Sequence, residues 1–290
     1  MPAAWPSSLP LICPRCRGRI DGVAASARLE PHPIGFVCPA CGTGHPVIDG
    51  VALVLPDLSS WMREEHPAVL CRADLPPDLL ARIVDDAGGV LARDRALLSA
   101  YGDGGDDAVR AWARPRLPGP GAAILDLGCG VGWTDRPDIV GLDLNFALLR
   151  RHAGPAVLAD ALDPPFAAES FDAVLMLDLV DSCRLPLGAL AQATALLRPG
   201  GTLLLTCAFA WRDDITPRAD RLGEDDLDRV LAGGGPDSWL RYAVIDEDEF
   251  DWTLQSGPRQ RCVYRVRAIS ARRLGPVDVD FRGELTQAFH

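Results

Sequence analysis

The sequence ILDLGCGVG, residues 124–132, decides the fold of this chain. A mostly apolar run leads directly into a turn that has a glycine at every second position. Glycine adopts backbone conformations that other residues avoid, and its missing Cβ lets a ligand approach the backbone. The stretch predicts a buried strand followed by a cofactor-binding turn, and the candidate cofactor contacts are Asp126, Gly128, Gly130 and Gly132.

Strand and helix patterns alternate from this point onward. Apolar strands are predicted at residues 122–127, 138–142, 156–159, 171–177 and 201–206. Helical spacing occurs at residues 146–152, 187–197 and 224–231. Continuous apolar strands that alternate with helices indicate a parallel sheet covered on both faces. The predicted fold class is therefore α/β, with a Rossmann-like, mostly parallel sheet, and residues 261–268 alternate as an antiparallel edge strand.

Acidic residues follow two of these strands, at the sheet edge where ligands of parallel sheets bind. Asp143 comes after the second strand, where a carboxylate can accept hydrogen bonds from both hydroxyls of a ribose. Asp160 comes after the third strand and precedes Ala161, where an acid can accept a hydrogen bond from an adenine amino group. The segment LRPGG, residues 197–201, ends the helix before the fifth strand.

Together these motifs resemble the class I S-adenosylmethionine-dependent methyltransferases across residues 122–207. The resemblance implies that S-adenosylmethionine is the cofactor and that the activity is methyl transfer. A dinucleotide enzyme is the alternative, but its fingerprint is G-x-G-x-x-G, and Gly132 comes one residue too early for it. A fold of this type without activity is the third interpretation.

The first crossover of the sheet departs from the usual length. Only ten residues lie between Gly132 and Asp143, whereas a parallel crossover generally takes about a dozen or more. We therefore expect residues 133–137 to form about one turn in place of the first helix.

Candidate substrate residues follow strands four and five. Methyl transfer requires alignment of nucleophile, methyl group and leaving sulfur, and it needs a general base only when the nucleophile arrives protonated. Asp178 is predicted to orient or deprotonate the acceptor, with helix capping or binding of the cofactor amine as its alternative roles. Asp181, Trp211 and Trp252 are predicted to contact the substrate, and a core or lid role is the alternative for both tryptophans. Asp178, Trp211 and Trp252 are predicted to converge on a closed, mostly apolar pocket beside Gly128 and Gly130.

The second half of the chain also resembles a narrower family, the methyltransferase domain fused to histidine-thiolating enzymes of ovothiol synthesis. The similarity runs through LLRPGGTLLLTCAFAW at residues 196–211 and through residues 213–217, 222–223, 251–254 and 259. In that family the acceptor is a ring nitrogen of a mercaptohistidine, so the resemblance implies an imidazole or thiol acceptor.

Four of the nine cysteines form two C-x-x-C pairs near the N-terminus, separated by twenty-one residues. Four thiolates at this spacing suit a tetrahedral zinc site that is filled by protein and is therefore structural. Two disulfides or a redox C-x-x-C are the alternatives. The predicted ligands are Cys13, Cys16, Cys38 and Cys41.

The segment CPACGTGHPVIDGVALVL, residues 38–55, resembles the zinc-ribbon activator subunit of eukaryotic tRNA and protein methyltransferases and its small bacterial relatives. The shared features are a C-x-x-C, then a Pro-hydrophobic-Asp-Gly turn, here residues 46–50, and an apolar strand. The resemblance implies a scaffold or substrate-gating module.

Composition limits the function classes. A net charge of −11 argues against a broad nucleic-acid footprint, because phosphate binding needs clustered basic residues. No apolar run reaches the ~18–20 residues that span a membrane, and the first ten residues do not resemble a secretory signal, so we expect a cytoplasmic protein. The sequence makes no prediction of the oligomeric state.

The chain is predicted to contain a zinc ribbon at residues 1–57, a linker and helical packing segment at 58–116, a Rossmann-like methyltransferase domain at 117–275 and a tail at 276–290. Within the linker, residues 79–84 and 90–100 have helical spacing. The leading hypothesis is a methyltransferase acting on a small molecule or short peptide. The alternatives are an RNA methyltransferase whose ribbon recognises the substrate and a non-catalytic, partner-binding protein.

The cysteine spacing generates the first testable prediction. Protein purified without added zinc is expected to contain one zinc ion per chain, because a metal site ties its binding energy to folding. Metal analysis of the purified protein measures this. Metal-free protein whose four cysteines are oxidised in pairs would contradict it.

Overall fold

A computed structural model describes residues 5–6, 9–17, 27–58, 60–61, 107–133, 135–233, 240–257 and 259–275. The helices predicted at residues 79–84 and 90–100 and the tail predicted at residues 276–290 lie outside the described residues. The chain divides into two compact units. Unit 1 comprises Met1–Gly105, Gly130–Asp160 and Leu254–Cys262, and unit 2 comprises Asp106–Cys129, Ala161–Thr253 and Val263–His290.

The elements alternate between strand and helix along most of the chain. The strands are β1 (Glu30–His32), β2 (Gly35–Val37), β3 (Gly44–Ile48), β4 (Val51–Leu53), β5 (Ile124–Leu127), β6 (Ile139–Asp143), β7 (Ala156–Leu158), β8 (Phe171–Leu177), β9 (Leu197–Cys207), β10 (Tyr242–Gly257) and β11 (Gln260–Arg273). The helices are α1 (Asp107–Ala113), α2 (Phe146–Leu149), α3 (Pro186–Leu196) and α4 (Glu224–Leu231). Single 3₁₀ turns occupy Arg114–Arg116, Val180–Ser182 and Arg218–Asp220.

Unit 1 joins an antiparallel ribbon to parallel strands. β1 pairs antiparallel with β2, β2 with β3, and β3 with β4. β4 then pairs in parallel with β7, and β7 pairs in parallel with β6. The residues of β4 and β7 are all buried, as expected for parallel strands covered on both faces. The last strand of the ribbon is therefore also a strand of the parallel ladder.

A tight two-residue turn connects β3 to β4, the strand of the ribbon that pairs with β7. Ile48 pairs with Val51, which leaves Asp49 and Gly50 as a two-residue loop. Both have positive φ, 49° and 83°, and an Asp-Gly pair is favoured there because the turn needs positive φ at both positions. The Asp49 carboxylate also lies 3.0 Å from the guanidinium of Arg150, the residue after α2.

Unit 2 contains a second parallel ladder with an antiparallel extension. β5 pairs in parallel with β8, and β8 pairs in parallel with β9. β11 pairs antiparallel with β9, and β10 lies next to β11 at the edge. The antiparallel strand predicted at residues 261–268 is thus confirmed within β11, but the prediction that it forms the edge is wrong.

The sequence analysis missed β10 because acidic residues interrupt its apolar pattern. Salt bridges to β11 neutralise two of these acids: Arg265 lies 3.0 Å from Glu249, and Arg267 lies 3.0 Å from Glu247. Charged side chains are common on edge strands, where they discourage pairing with another chain. The acidity of β10 therefore agrees with its place in the sheet.

The other predicted elements are confirmed, with shifted ends. The predictions for β8 and α4 match their observed bounds, whereas β9 begins at Leu197, four residues early. The predicted helix 146–152 ends at Leu149 and continues as turns. Of the described residues between β5 and β6, which are all except Thr134, none is helical, and Trp133 is fully buried. The architecture is the predicted Rossmann-like α/β fold with mostly parallel strands.

The helices that the structure describes lack the combination of length and apolar character needed to cross a bilayer.

Packing in unit 1 generates the second prediction. Leu158 is fully buried in β7, between its partners Leu53 and Asp143. Leu158→Ala is expected to lower the free energy of unfolding by about 2–5 kcal/mol, because the cavity it leaves adds to the lost burial. Urea denaturation measures this. Leu274→Ala is the control, since Leu274 is 49% exposed and its loss should change stability by less than about 0.5 kcal/mol; equal effects of the two variants would contradict the prediction.

Candidate functional site

The glycine-rich turn after β5 has the backbone that its sequence predicts. Gly128, Gly130 and Gly132 all have positive φ, at 79°, 57° and 63°. Residues with a Cβ adopt this region only at a cost. The glycines are therefore required by the path of the chain, quite apart from any ligand.

Gly128 also sits close to the end of β8. A Cβ placed on Gly128 would lie 2.7 Å from Cδ1 of Leu179, the second residue after β8. The pairing of Asp126 with Leu175 sets this proximity, because both strands leave the sheet at the same edge. The first glycine of the turn therefore lies against the segment that carries Asp178.

Gly132 has a structural explanation in unit 1. A Cβ at this position would lie 1.9 Å from Nδ1 of His152, which packs directly over the turn. The His152 Nε2 atom lies 3.0 Å from the carbonyl oxygen of Ile139. Close packing on His152 thus accounts for this glycine, while its predicted contact with a cofactor remains a prediction.

Asp143 stands at the end of β6 and holds two backbone amides. The amide of Gly130 donates to its Oδ2 atom at 2.8 Å, and the amide of Asn145 donates to its Oδ1 atom at 2.8 Å. Desolvation raises the pKa of Asp143, and the amides of Asn145, Gly130 and Leu144 oppose that rise. The carboxylate therefore fixes the glycine turn and keeps lone pairs for further donors, since a carboxylate offers about four acceptor positions.

The other predicted cofactor contacts lie in or just after their strands. Asp126 is 1% exposed within β5. Asp160 is half-buried two residues after β7, and Ala161 is buried. Their contacts with a cofactor stay predictions.

Asp178 follows β8 in a constrained conformation. Its φ is 57°, in the left-handed region that few residues other than glycine adopt. Thr206 of β9 fixes it: the Asp178 amide donates to the Thr206 hydroxyl oxygen at 2.9 Å, and that hydroxyl donates to Asp178 Oδ1 at 3.0 Å. Burial and the nearby Asp181 carboxylate raise the pKa of Asp178 to about 7, against the opposing effects of Thr206 and Arg110.

Asp181 lies in the 3₁₀ turn that follows and is only 4% exposed. The amide of Ala210, in the loop after β9, donates to its Oδ2 atom at 2.9 Å. Burial raises the pKa of Asp181, and this hydrogen bond opposes the rise. The predicted acids after β8 are thus close neighbours, joined to β9 and to the loop that follows it.

The two predicted tryptophans occupy different elements. Trp211 is half-buried in the loop after β9. Trp252 is 6% exposed in β10 and packs on Tyr264 of β11, with ring centroids 5.6 Å apart. Its indole Nε1 has no hydrogen-bond partner among the described residues. Convergence of Asp178, Trp211 and Trp252 on one closed pocket stays a prediction.

Sequence reasoning missed the contribution of Thr206. Thr206 pairs with Leu177, the residue before Asp178, in the parallel register of β8 and β9. The sequence places a threonine near the end of a predicted strand, but only the register shows that it faces Asp178. The only hint in the sequence was that polar residues, Asp178 and Thr206, occur at the ends of two strands predicted to be neighbours.

The four predicted metal ligands converge. Their sulfur atoms all lie within 4.8 Å of one another, with 3.8 Å between Cys13 and Cys41 and 3.6 Å between Cys16 and Cys38. A tetrahedron with Zn–S bonds of about 2.3 Å separates its sulfurs by about 3.8 Å, so the cysteines fit a zinc ion. The Thr43 hydroxyl lies 3.1 Å from the Cys41 sulfur and lowers the pKa of that thiol to about 6.

The buried His45 extends this cluster. Its Nε2 atom lies 3.9 Å from the Cys13 sulfur, and its Nδ1 atom lies 3.3 Å from the carbonyl oxygen of Leu53. An imidazole that contacts both a cysteine sulfur and the backbone helps to hold that cysteine in place. His45 therefore connects the cysteines to β4.

Part of the chain is similar to known methyltransferases. Residues 125–205 match the family model described as a methyltransferase domain. The chain is 32% identical over 146 residues to the ubiquinone biosynthesis O-methyltransferase of Cereibacter sphaeroides, covering 45% of this chain and 58% of that protein. It is 29% identical over 147 residues to the demethylmenaquinone methyltransferase of Renibacterium salmoninarum, covering 46% and 60%. The chain thus spans about three fifths of the length of these relatives.

A solved structure is also similar. It comes from the complex between the Haloferax volcanii Trm112 methyltransferase activator and a candidate methyltransferase, and its TM-score is 0.48 at 18% identity. The similarity covers 63% of this chain and 97% of that one.

The geometry of Asp143 generates the third prediction. Asp143→Ala is expected to weaken S-adenosylmethionine binding about ten- to a hundredfold, because charge-assisted hydrogen bonds contribute roughly 1.5–3 kcal/mol. Asp143→Asn keeps one acceptor oxygen and should lose less. Titration calorimetry measures the affinity, and Asp225→Ala on the exposed face of α4 is the matched control. Unchanged affinity in Asp143→Ala with an intact circular dichroism spectrum would refute the role.

Proposed function

We propose that this chain, which carries a class I methyltransferase domain, is an S-adenosylmethionine-dependent methyltransferase that modifies a small molecule. Asp178 orients or deprotonates the acceptor. The supporting observation is the environment of this carboxyl: its neighbour Leu179 fills the space that a side chain on Gly128 would need, and burial and Asp181 raise its pKa to about 7. A general base is most effective when its pKa lies near the working pH.

The residues after β5, β6 and β7 are proposed to bind the cofactor. S-adenosylmethionine supplies an electrophilic methyl group on its sulfonium sulfur when bound. Asp143 accepts hydrogen bonds from the amides of Gly130 and Asn145, and the Leu144 amide also acts on it. A carboxylate offers about four acceptor positions, so capacity remains for a ribose hydroxyl. Asp160 and Ala161 would bind the adenine, and the backbone at Gly128 and Gly130 would approach the rest of the cofactor.

The proton of the acceptor would move to a defined oxygen. The Thr206 hydroxyl already donates to Asp178 Oδ1, which leaves Oδ2 as the oxygen that takes the proton. Arg110 of α1 acts on this carboxylate as a cation and favours its ionised, basic form. With a pKa of about 7, the Asp178 carboxyl is partly ionised at neutral pH, and its ionised form can accept the proton of the acceptor.

The acceptor is proposed to carry an acidic X–H group of moderate strength. The two relatives are named as a ubiquinone biosynthesis O-methyltransferase and a demethylmenaquinone methyltransferase, which supports a small-molecule acceptor such as one with a hydroxyl group. The resemblance to the ovothiol family adds an imidazole or a thiol, free or in a short peptide. These groups share one requirement, which is a base to remove their proton.

The cysteine cluster is proposed to bind a structural zinc ion within a ribbon domain at residues 1–57. The sulfur separations support it, and four thiolates this close repel one another unless a cation neutralises them. With four protein ligands, the ion has no open position for a substrate. The linker at 58–116 and the catalytic domain at 117–275 complete the proposed organisation.

The partner is proposed to be a small molecule in the cytoplasm, and not a nucleic acid. The net charge of −11 supports this, because a polyanion would be repelled by most of the surface. Many of the arginines of unit 2 are also engaged with acids, including Arg212, Arg218, Arg265 and Arg267.

Asp178→Asn generates the fourth prediction. Loss of a general base is expected to lower the rate of methyl transfer about 10²- to 10⁴-fold. In the parent protein the rate should fall as the pH drops through about 7, because protonation of Asp178 removes the base, and this fall should vanish in the variant. The measurement is transfer of labelled methyl groups from S-adenosylmethionine into separate small-molecule, peptide and RNA fractions of a cell extract.

Asp225→Asn serves as the control, since its exposed carboxylate on α4 lies outside the proposed site. A rate and pH profile in Asp178→Asn equal to the parent would remove Asp178 from the mechanism. Labelling confined to the RNA fraction would overturn the small-molecule assignment.

A further inference from the structure

We infer that Asp181 is a positioning residue that fixes the loop after β9 and holds Asp178 in its catalytic state. The inference rests on the proposed role of Asp178. Asp181 is 4% exposed, so its side chain is buried. Its Oδ2 atom accepts the Ala210 amide at 2.9 Å, and the Ser182 hydroxyl lies 3.5 Å from its Oδ1 atom.

The loop that Asp181 holds has a constrained backbone. Phe209 has a φ of 52°, which residues with a side chain rarely adopt. The Phe209 amide donates to the Cys207 sulfur at 3.4 Å, and the next amide, that of Ala210, donates to Asp181. These two hydrogen bonds maintain a conformation that the residues would not choose alone. The same loop continues to Trp211, a predicted wall of the acceptor pocket.

Asp178 has a matching constraint across the strands. It too is left-handed, with a φ of 57°, and Thr206 fixes it from β9. The ends of β8 and β9 are therefore tied twice: Asp178 of one to Thr206 of the other, and Asp181 after β8 to Ala210 after β9. The first tie uses the side chains of Asp178 and Thr206, and the second uses the side chain of Asp181.

Besides holding the loop, Asp181 influences the ionisation of Asp178. Asp181 opposes ionisation of Asp178, whereas Arg110 of α1 and Thr206 of β9 favour it. Cys207 is the last residue of β9, and burial and the Asp181 carboxylate raise the pKa of its thiol, so the thiol stays neutral. Two like charges at one buried site resist ionising together, so a carboxylate at 181 helps Asp178 to keep its proton until near neutral pH.

The test uses two variants of the full chain and needs neither cofactor nor acceptor. Asp181→Asn keeps an oxygen for the Ala210 amide but removes the charge. Its Asp178 carboxyl, followed by NMR in protein labelled with ¹³C-aspartate and assigned with Asp178→Asn, is expected to titrate about one pH unit or more below the parent. Asp181→Ala removes the hydrogen bond as well, so the Ala210 amide is expected to exchange with deuterium about tenfold faster or more.

Asp225→Asn is the matched control and should leave both readouts unchanged. An Asp178 midpoint in Asp181→Asn equal to the parent would overturn the inference, as would unchanged Ala210 exchange in a folded Asp181→Ala. If Asp181→Ala does not fold, the isosteric Asp181→Asn decides, with normal Ala210 exchange and a lowered midpoint expected. Both readouts come from the protein alone, so a failure of methyl transfer would not be confused with a failure of this inference.

Discussion

The parallel pairing of β8 with β9 determines the arrangement of the candidate site in unit 2. Because Leu177 pairs with Thr206, the strand that carries Asp178 ends opposite the strand that leads to Ala210. Short side chains at these ends can then bond across the gap, as Thr206 and Asp181 do. A shift of this register by one residue would turn Thr206 to the opposite face and break the tie to Asp178.

The same reliance on strand ends recurs in unit 1. Asp143 is the last residue of β6 and pairs with Leu158 of β7, whose other neighbour is Leu53 of the ribbon. His45 contacts the Cys13 sulfur and the Leu53 carbonyl. An unbroken series of contacts therefore runs from the cysteine cluster through β4 and β7 to the carboxylate that holds the glycine turn.

The sequence was informative where burial dictated composition. The run FDAVLML predicts β8 because its residues are buried on both faces, and the positions of Asp143 and Asp178 follow because parallel strands end at one edge. It failed for β10, whose side chains are largely solvated and whose acids are balanced by arginines 14 to 20 residues away. The partners of Asp178 and Asp181 also depend on register, and register is set by contacts that no local pattern records. The cysteine cluster could be predicted in part: the spacing of the cysteines predicts which four come together, but not that His45 contacts the Cys13 sulfur.

The sharing of β4 between the ribbon and the parallel ladder has a consequence for solubility and for evolution. β7 has β6 on one side and β4 on the other, so a shortened chain that begins after Leu55 would leave one side of β7 with unpaired backbone groups. An exposed, fully apolar strand edge is a template for aggregation. By pairing with β7, β4 of the ribbon keeps that strand edge from being exposed. A gene that lost this segment would need another segment to pair with the free edge of β7.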